Sequence, residues 1–182
     1  IPAHAIFVTE QTAELKQQKT TAEQDRRLQM LSGISMFAKL SDDERDALAG
    51  ALRYAPFAAG ETMTKQGAKA HWLYIIATGG ASVRVAIDGE GQQEVARLKA
   101  GDFFGERSLL TGDPRSATVV AMTRVECWRL DRAAFQELLT RRPEIADEVA
   151  EVLAARATDL ERARENLGAE AAMRRAAETK TD

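Results

Sequence analysis

The sequence predicts an α+β fold in which an antiparallel β jelly-roll barrel is flanked by N-terminal helices and by a long C-terminal helix. Three observations predict it. Residues 53–130 form short apolar or alternating runs separated by turn residues, which is typical of antiparallel barrels and jelly rolls rather than of parallel sheets. The residues before this region are polar and contain a helix start signal. The residues after Pro143 repeat apolar side chains at helical spacing.

The composition indicates one soluble domain of ordinary size with helical extensions. The chain has 182 residues, of which 45% are hydrophobic and 29% are charged, as in ordinary globular proteins. Its net charge of -3 argues against nucleic acid as a partner, because nucleic-acid-binding domains usually carry a basic surplus. The longest stretch without a charge, residues 70–83, is too short to cross a bilayer, and no signal peptide is visible. We therefore expect a soluble, cytoplasmic chain.

The N-terminal region is predicted to be helical. Residues 9–30 are polar and charged and lack glycine and proline, which predicts an exposed helix or helical linker. We interpret residues 1–30 as an extension from an upstream domain, since the chain begins with Ile1 and not with Met. A second helix is expected to start at Ser41, because Glu44 follows three residues later and completes a capping box. Its apolar face consists of Leu48, Ala49 and Leu52.

Short strands fill the middle of the chain. Turn signals separate them at Gly79-Gly80, at Asp88-Gly89, which is typical of a hairpin, and at residues 99–102. Two further runs follow Pro114. The predicted strands are the runs WLYIIAT, SVRVAI, EVARL, SATVVAM and VECWRL.

The C-terminal region is predicted to be helical again. Asp131 is placed to cap a first helix, and Pro143 interrupts and restarts it. The long helix that follows has one apolar stripe, and Arg156 falls on this stripe. The stripe also fits pairing with a second subunit, hence a homo-oligomer. We expect residues 168–182 to be a disordered polar tail. The stripe consists of Ile145, Val149, Val152, Leu160, Ala163 and Leu167.

The sequence indicates neither metal binding nor catalysis. Cys127 is the single cysteine and lies in an apolar strand, which predicts a buried, inert thiol. His4 and His71 have no ligand partner at a suitable spacing. We find no nucleophile–base pair and no P-loop. We therefore expect no metal and no enzyme activity.

Residues 101–118, with the sequence GDFFGERSLLTGDPRSAT, combine features that suit an anion. Gly105 lets the backbone approach a ligand, and a short apolar helical turn follows it. Arg115 supplies a permanent positive charge with a planar fork that suits a phosphate diester. Glu106 is negative and therefore suits a sugar hydroxyl beside the phosphate. The alternative for this pair of charges is a structural ion pair between Glu106 and Arg115.

The same segment resembles the phosphate-binding cassette of the cyclic-nucleotide-binding domains. That cassette has the form F-G-E-x-(small)-L-(apolar), followed after a few residues by P-R-(small)-A. The resemblance extends over residues 31–160 and implies a cyclic-nucleotide-binding domain at residues 31–167. Arg107 departs from the pattern, because family members often carry an apolar residue there. The matching residues are Phe104, Gly105, Glu106, Ser108, Leu109, Leu110, Pro114, Arg115, Ser116 and Ala117.

The resemblance implies a regulatory ligand, cAMP or cGMP, and a role for each part of the site. Arg115 would pair with the cyclic phosphate, helped by Ser116 and by backbone N–H groups near Ser108 and Ala117. The absence of a threonine at Ser116 favours cAMP. The helix after Pro143 would close over the base as a lid, so that ligand shifts the population of lid arrangements. The remaining ligand-binding residues would be Gly105 and Glu106 at the ribose, Val85, Leu98 and Arg156 at the base, and Phe104 and Arg107 within the cassette.

Two questions stay open at this point. Arg156 is either the lid contact to the purine or an ordinary surface residue with a partly buried stem. The protein that the sensor controls is the second question. The first residues, IPAHAIFVTEQ, resemble the last strand of the cytoplasmic domain of small-conductance mechanosensitive channels. We therefore expect a bacterial inner-membrane channel, with a transcription regulator or a kinase-type enzyme as the alternatives.

Overall fold

The computed structural model describes residues 13–87 and 91–178. Two helices and a short 3-10 turn precede the strands: α1 (Ala13–Ser32), the turn Ser35–Phe37 and α2 (Asp42–Ala51). The predicted capping box is present at α2, because the Ser41 side chain accepts from the backbone N–H of Glu44 and the Glu44 side chain accepts from the backbone N–H of Ser41. The second helix therefore begins where the sequence predicts.

Within the described residues, eight strands form two four-stranded antiparallel sheets, with the strand orders β1-β8-β3-β6 and β2-β7-β4-β5. The predicted antiparallel jelly roll flanked by helices is confirmed. Their bounds are β1 (Arg53–Phe57), β2 (Thr62–Thr64), β3 (Trp72–Thr78), β4 (Gly80–Ile87), β5 (Gly91–Lys99), β6 (Phe103–Phe104), β7 (Thr118–Ala121) and β8 (Val125–Asp131).

Three of these strands, β1, β2 and β6, are not among the predicted runs. Strand β1 contains Pro56 and lies at the edge of its sheet, where a missing backbone N–H is tolerated. Strands β2 and β6 have three and two residues, which is too short for an alternating pattern to be recognised. The hairpin turn predicted at Asp88-Gly89 lies outside the described residues, although Ile87 of β4 pairs with Gly91 of β5 on either side of it.

Strand β3 separates two hydrophobic clusters. Leu73 and Ile75 pack towards the helices, while Tyr74 and Ile76 pack between the two sheets. Burial on both faces explains why this strand is apolar throughout and does not alternate. Cys127 belongs to the cluster between the sheets, its Sγ donates to the Ala55 carbonyl, and burial raises its pKa to about 12.

Three further helices complete the described chain: α3 (Glu106–Thr111), α4 (Arg132–Arg141) and α5 (Pro143–Glu178). The Asp131 side chain caps α4, as predicted. Helix α5 continues through Gly168 to Glu178, in the region predicted to be a disordered tail. The reason is that alanine, glutamate and arginine dominate this segment and are strong helix formers. No helix within the described ranges is long and apolar enough to span a membrane.

Helix α5 is attached to the N-terminal helices at its beginning. Ile145 and Val149 are buried in the same hydrophobic cluster as residues of α1 and α2. Arg142, which precedes the helix, donates to both carboxylate oxygens of Glu44, one of them at 2.7 Å. The bonded Arg142 guanidinium and the Ser41 backbone N–H lower the pKa of Glu44 to about 2. The distal part of α5 extends along the jelly roll, where it contacts β4 and β5.

Candidate functional site

A pocket of about 200 Å³ lies between the jelly roll, residues 101–118 and helix α5. We keep the name cassette for residues 101–118 and the name lid helix for α5. Ten of the eleven sequence-predicted site residues line this pocket. They are Leu98, Phe104, Gly105, Glu106, Arg107, Ser108, Arg115, Ser116, Ala117 and Arg156.

Arg115 is the most deeply buried arginine of the pocket, with 7% of the residue exposed. Its guanidinium donates to the Gly105 carbonyl at 2.8 Å and to the Trp72 carbonyl at 2.5 Å, and it lies 5.8 Å from the centre of the Tyr74 ring. Burial lowers the pKa of this guanidinium, while nearby Tyr74 and Glu106 act in the opposite direction. Both bonded acceptors are neutral carbonyl oxygens, so they orient the guanidinium without neutralising it.

Gly105 is required where the cassette passes Arg115. Its φ of 90° lies in the left-handed region, which only glycine adopts readily. A Cβ at this position would come within 2.2 Å of Arg115 Nη1 and 2.9 Å of the Trp72 carbonyl oxygen. The sequence predicts that Gly105 lets the backbone approach a ligand. In the structure, Gly105 leaves room for the buried Arg115 side chain.

Glu106 forms an ion pair with Arg156 of the lid helix. The distance between Arg156 Nη1 and Glu106 Oε1 is 2.8 Å, and the Glu106 side chain is only 5% exposed while that of Arg156 is 35% exposed. The alternative pairing of Glu106 with Arg115 is therefore not what the structure contains. Within the described part of the chain, Glu106 Oε2 is buried without a hydrogen-bond partner. One carboxylate oxygen of this pocket-lining residue thus has no hydrogen-bond donor.

Arg156 also stacks over the ring of Phe103, with its Cζ 4.9 Å from the ring centre. The sequence offered two interpretations, a purine contact or an ordinary surface residue. The structure gives Arg156 a third role, since its guanidinium is held by a carboxylate and an aromatic ring of the cassette. Arg156 can lie on the apolar stripe of the lid helix because its charge is paired with Glu106 of the cassette.

The short helix α3 presents the remaining cassette residues. Ser108 is buried, its hydroxyl donates to the Pro114 carbonyl at 3.3 Å, and its own carbonyl accepts from Arg132 of α4 at 3.1 Å. Arg107 is exposed at the pocket. Phe104 is buried and stacks on Tyr74, with the ring centres 4.9 Å apart. The cassette helix is therefore joined both to the jelly roll and to α4.

Val85 is the one predicted site residue outside the pocket. It is fully buried, and Val83 of the same strand lines the pocket instead. The two residues share one face of β4, but Val85 lies roughly 7 Å farther along the strand because a strand rises about 3.3 Å per residue. The alternating pattern identifies the correct face, and it does not identify the distance of a residue from the cassette.

Sequence reasoning also missed part of the pocket wall. The lid helix contributes Leu153 and Ala157 together with Leu160, at spacings of three and four residues. This helical spacing could have found them once Arg156 was placed on the inner face. The other missed lining residues are Thr64, Val83, Val95, Ala96, Val119 and Asp159. Across residues 13–87 and 91–178 no group of three side chains is arranged to hold a metal ion.

A family model described as the cyclic nucleotide-binding domain matches residues 55–142. The cAMP-dependent protein kinase regulatory subunit of Blastocladiella emersonii is 36% identical over 118 residues, which cover 64% of this chain and 29% of that protein. The corresponding subunit of Dictyostelium discoideum is 35% identical over 121 residues, which cover 66% of this chain and 37% of that protein. The chain thus spans about a third of the length of these curated relatives.

Two solved structures have a similar fold. The regulatory domain of Toxoplasma gondii PKA, crystallised with cAMP, superposes with a TM-score of 0.70 at 25% identity, covering 76% of this chain and 52% of that chain. The catabolite activator protein of Thermus thermophilus superposes with a TM-score of 0.63 at 28% identity, covering 73% of this chain and 62% of that chain. These similarities include the jelly roll and the helices that flank it.

Proposed function

We propose that this chain binds cAMP in the pocket between the cassette and the lid helix and acts as the sensor of a larger protein. Its residues 55–142 match the family model of the cyclic nucleotide-binding domain. The observation that carries this proposal is the pair of buried charged groups in the cassette. Arg115 offers a desolvated positive charge, and Glu106 offers a buried carboxylate oxygen in the same pocket. A ribose cyclic phosphate presents one anion beside one hydroxyl donor, which matches these two groups.

The phosphate contact would come from Arg115. A guanidinium oriented by two carbonyl oxygens loses little conformational freedom when an anion arrives. A charge-assisted bond to a phosphate is also stronger than a neutral one, particularly where water is excluded. Ser116 and Ala117, which line the pocket directly after Arg115, would add donors to the same anion.

The ribose contact would come from Glu106. Its Oε2 is buried and in need of a donor, which the 2′-hydroxyl would supply. Arg156 holds the other carboxylate oxygen, so it would orient Glu106 for the ribose instead of contacting the base. We therefore revise the role that the resemblance implies for Arg156.

The base would lie against the apolar part of the pocket. Leu98 and Val83 line it from the jelly roll, and Leu153, Ala157 and Leu160 line it from the lid helix. An apolar slot with a few polar groups at one end is the usual form of a nucleotide-sized site. Ser116 in place of threonine favours cAMP over cGMP. The relatives include regulatory subunits of cAMP-dependent protein kinases as well as cGMP-dependent protein kinases.

The response would be a shift in the population of lid-helix positions. The lid helix touches the cassette through Arg156, and Arg142, which immediately precedes the lid helix, pairs with Glu44 of α2. A second ion pair joins Glu148 of the lid helix to Lys39 at 2.9 Å. Ligand contacts that favour one position of the lid would therefore be felt at the N-terminal helices.

The controlled protein is a second question, and the relatives favour the kinase-type alternative. The curated relatives named above are regulatory subunits of cAMP-dependent protein kinases. The membrane channel, which the sequence favours, has no support from these comparisons. The residues Ile1 to Gln11, on which that expectation depends, lie outside the described residues.

The test is a calorimetric titration of the chain with cAMP and with cGMP. Arg115→Ala should weaken cAMP binding by about 2–3 kcal/mol, on the order of 30- to 150-fold, because it removes a charge-assisted bond to a buried anion. Arg124→Ala is the matched control, since this arginine is 78% exposed and does not line the pocket. Unchanged affinity in Arg115→Ala would contradict the proposed site.

A further inference from the structure

The loop between β2 and β3 holds the backbone of Arg115. The N–H of Gly67 donates to the Arg115 carbonyl at 2.8 Å, and the N–H of Arg115 donates to the Ala68 carbonyl at 2.9 Å. Both backbone polar groups of the cassette arginine are therefore bonded to two adjacent residues of one loop. The direction in which the Arg115 side chain enters the pocket depends on where this loop lies.

The part of the loop that bonds to Arg115 is held by hydrogen bonds. Gly67 and Ala68 are exposed, and nothing lies within 4 Å of a Cβ built on Gly67. The preceding residue, Gln66, is fixed at two points. Its N–H donates to Thr118 Oγ1 at 3.0 Å, and its Oε1 accepts from the N–H of Ala86 in β4 at 2.9 Å.

Thr118 is the central residue of this arrangement. It is 3% exposed, and its Oγ1 accepts a second hydrogen bond, from Gln92 Nε2 of β5 at 3.0 Å. Thr118 follows Arg115 three positions later in sequence, so the chain and these hydrogen bonds close a small ring from Arg115 through the loop to Gln66, to Thr118 and back. A buried acceptor with two donors is costly to lose, because each donor would be left without its partner.

From this ring we infer that Thr118 is a positioning residue for phosphate recognition, acting through Gln66 and the β2–β3 loop on the backbone of Arg115. The inference depends on the proposed function, since it concerns how the pocket is made ready for an anion. Thr118 does not line the pocket, so its effect on ligand binding would be indirect. A preorganised arginine binds an anion more tightly because less freedom is lost on binding.

A role in folding alone would also make Thr118 important, so the experiment must separate the two. Thr118→Val keeps the shape of the side chain and removes the acceptor. Thr118→Ser keeps the acceptor and is the matched control. The 182-residue chain is titrated with cAMP in each variant, and each is then combined with Arg115→Lys.

Thr118→Val should weaken cAMP binding about tenfold, while Thr118→Ser should stay within about twofold of the unmodified chain. In the Arg115→Lys background Thr118→Val should cost much less than tenfold, because the oriented guanidinium is already lost. Amide hydrogen exchange at Gly67 and Arg115 should become faster in Thr118→Val, since the loop loses its anchor.

Two results would overturn the inference. One is equal affinity in Thr118→Val and Thr118→Ser, and the other is an unchanged penalty of Thr118→Val in the Arg115→Lys background. If Thr118→Val does not fold, Gln66→Ala serves in its place as a test of the loop. Gln66 is partly exposed, and the substitution removes its side-chain bond to the Ala86 N–H while the backbone bond to Thr118 stays. Unchanged cAMP affinity in Gln66→Ala would then overturn the inference that the position of the loop sets phosphate recognition. An unmodified chain that binds neither nucleotide would overturn the proposed function itself and is thereby distinguished from both results.

Discussion

The two sides of the pocket differ in burial and in the number of bonds that hold them. The cassette side carries Arg115 and Glu106, which are 7% and 3% exposed, and two backbone carbonyls fix the Arg115 guanidinium. The lid side carries partly exposed residues of one helix, and Arg156 provides its ion pair with the cassette. Buried polar groups with fixed partners are preorganised for a ligand, whereas a partly exposed helix face is easily displaced.

This difference implies a division of roles between the two sides. The cassette would supply most of the affinity for the nucleotide, and the lid helix would supply the response. Arg156 is 35% exposed, so water screens its charge and can replace Glu106 as its partner when the lid moves. The Glu106 carboxylate is 5% exposed, so lid movement would leave it in need of a donor, which the ribose hydroxyl would supply.

The largest difference in cAMP affinity between the two sides is expected when Glu106→Gln on the cassette side is compared with Arg156→Gln on the lid side. Glu106→Gln removes a charged acceptor from the buried side and should weaken cAMP binding about tenfold or more. Arg156→Gln changes only the partly exposed partner and should weaken binding by no more than about threefold. Calorimetric titrations of the two variants measure the difference. A larger loss in Arg156→Gln would mean that the lid and not the cassette provides the affinity.

A smaller effect concerns the point where the lid helix joins the N-terminal helices. Bonding to Arg142 lowers the pKa of Glu44 from 4.5 to about 2, so the ionised form is favoured in the folded state. The resulting stabilisation is complete above about pH 4.5 and is lost as the pH falls towards 2. Glu44→Gln, which can still form the capping box, should lower the melting temperature near pH 7 and have little effect near pH 2.

Melting curves between pH 2 and pH 7 test this expectation, with Glu137→Gln as the control. Glu137 forms an exposed ion pair with Arg141 on α4 and does not join two separate parts of the chain. A constant difference between Glu44→Gln and the unmodified chain at all pH values would exclude the ion pair with Arg142 as the source of the stabilisation.

The cassette could be predicted from sequence because its geometry is local. Gly105, Glu106 and Arg115 lie within one short segment, and the arginine follows the glycine that it contacts by ten positions. The capping box at Ser41 and the cap at Asp131 are local in the same sense, and both are present. Signals of this kind depend on a few neighbouring residues, and tertiary packing rarely changes them.

The remaining features depend on contacts between distant parts of the chain. The partner of Arg156 lies fifty residues away in sequence, and no spacing rule connects it to Glu106. Val83 and not Val85 lines the pocket, and this depends on where β4 passes the cassette. The helical course of α5 beyond Gly168 has a different cause, since the helix propensity of this segment outweighs its polarity.

The measurement that tests the division of roles most directly is amide hydrogen exchange of the chain with and without saturating cAMP. We expect slower exchange with cAMP in residues 105–118 of the cassette and in residues 150–160 of the lid helix, with β8 unchanged as the internal reference. Slower exchange in the cassette alone, with the lid helix exchanging at the same rate in both conditions, would contradict a lid that responds to the nucleotide.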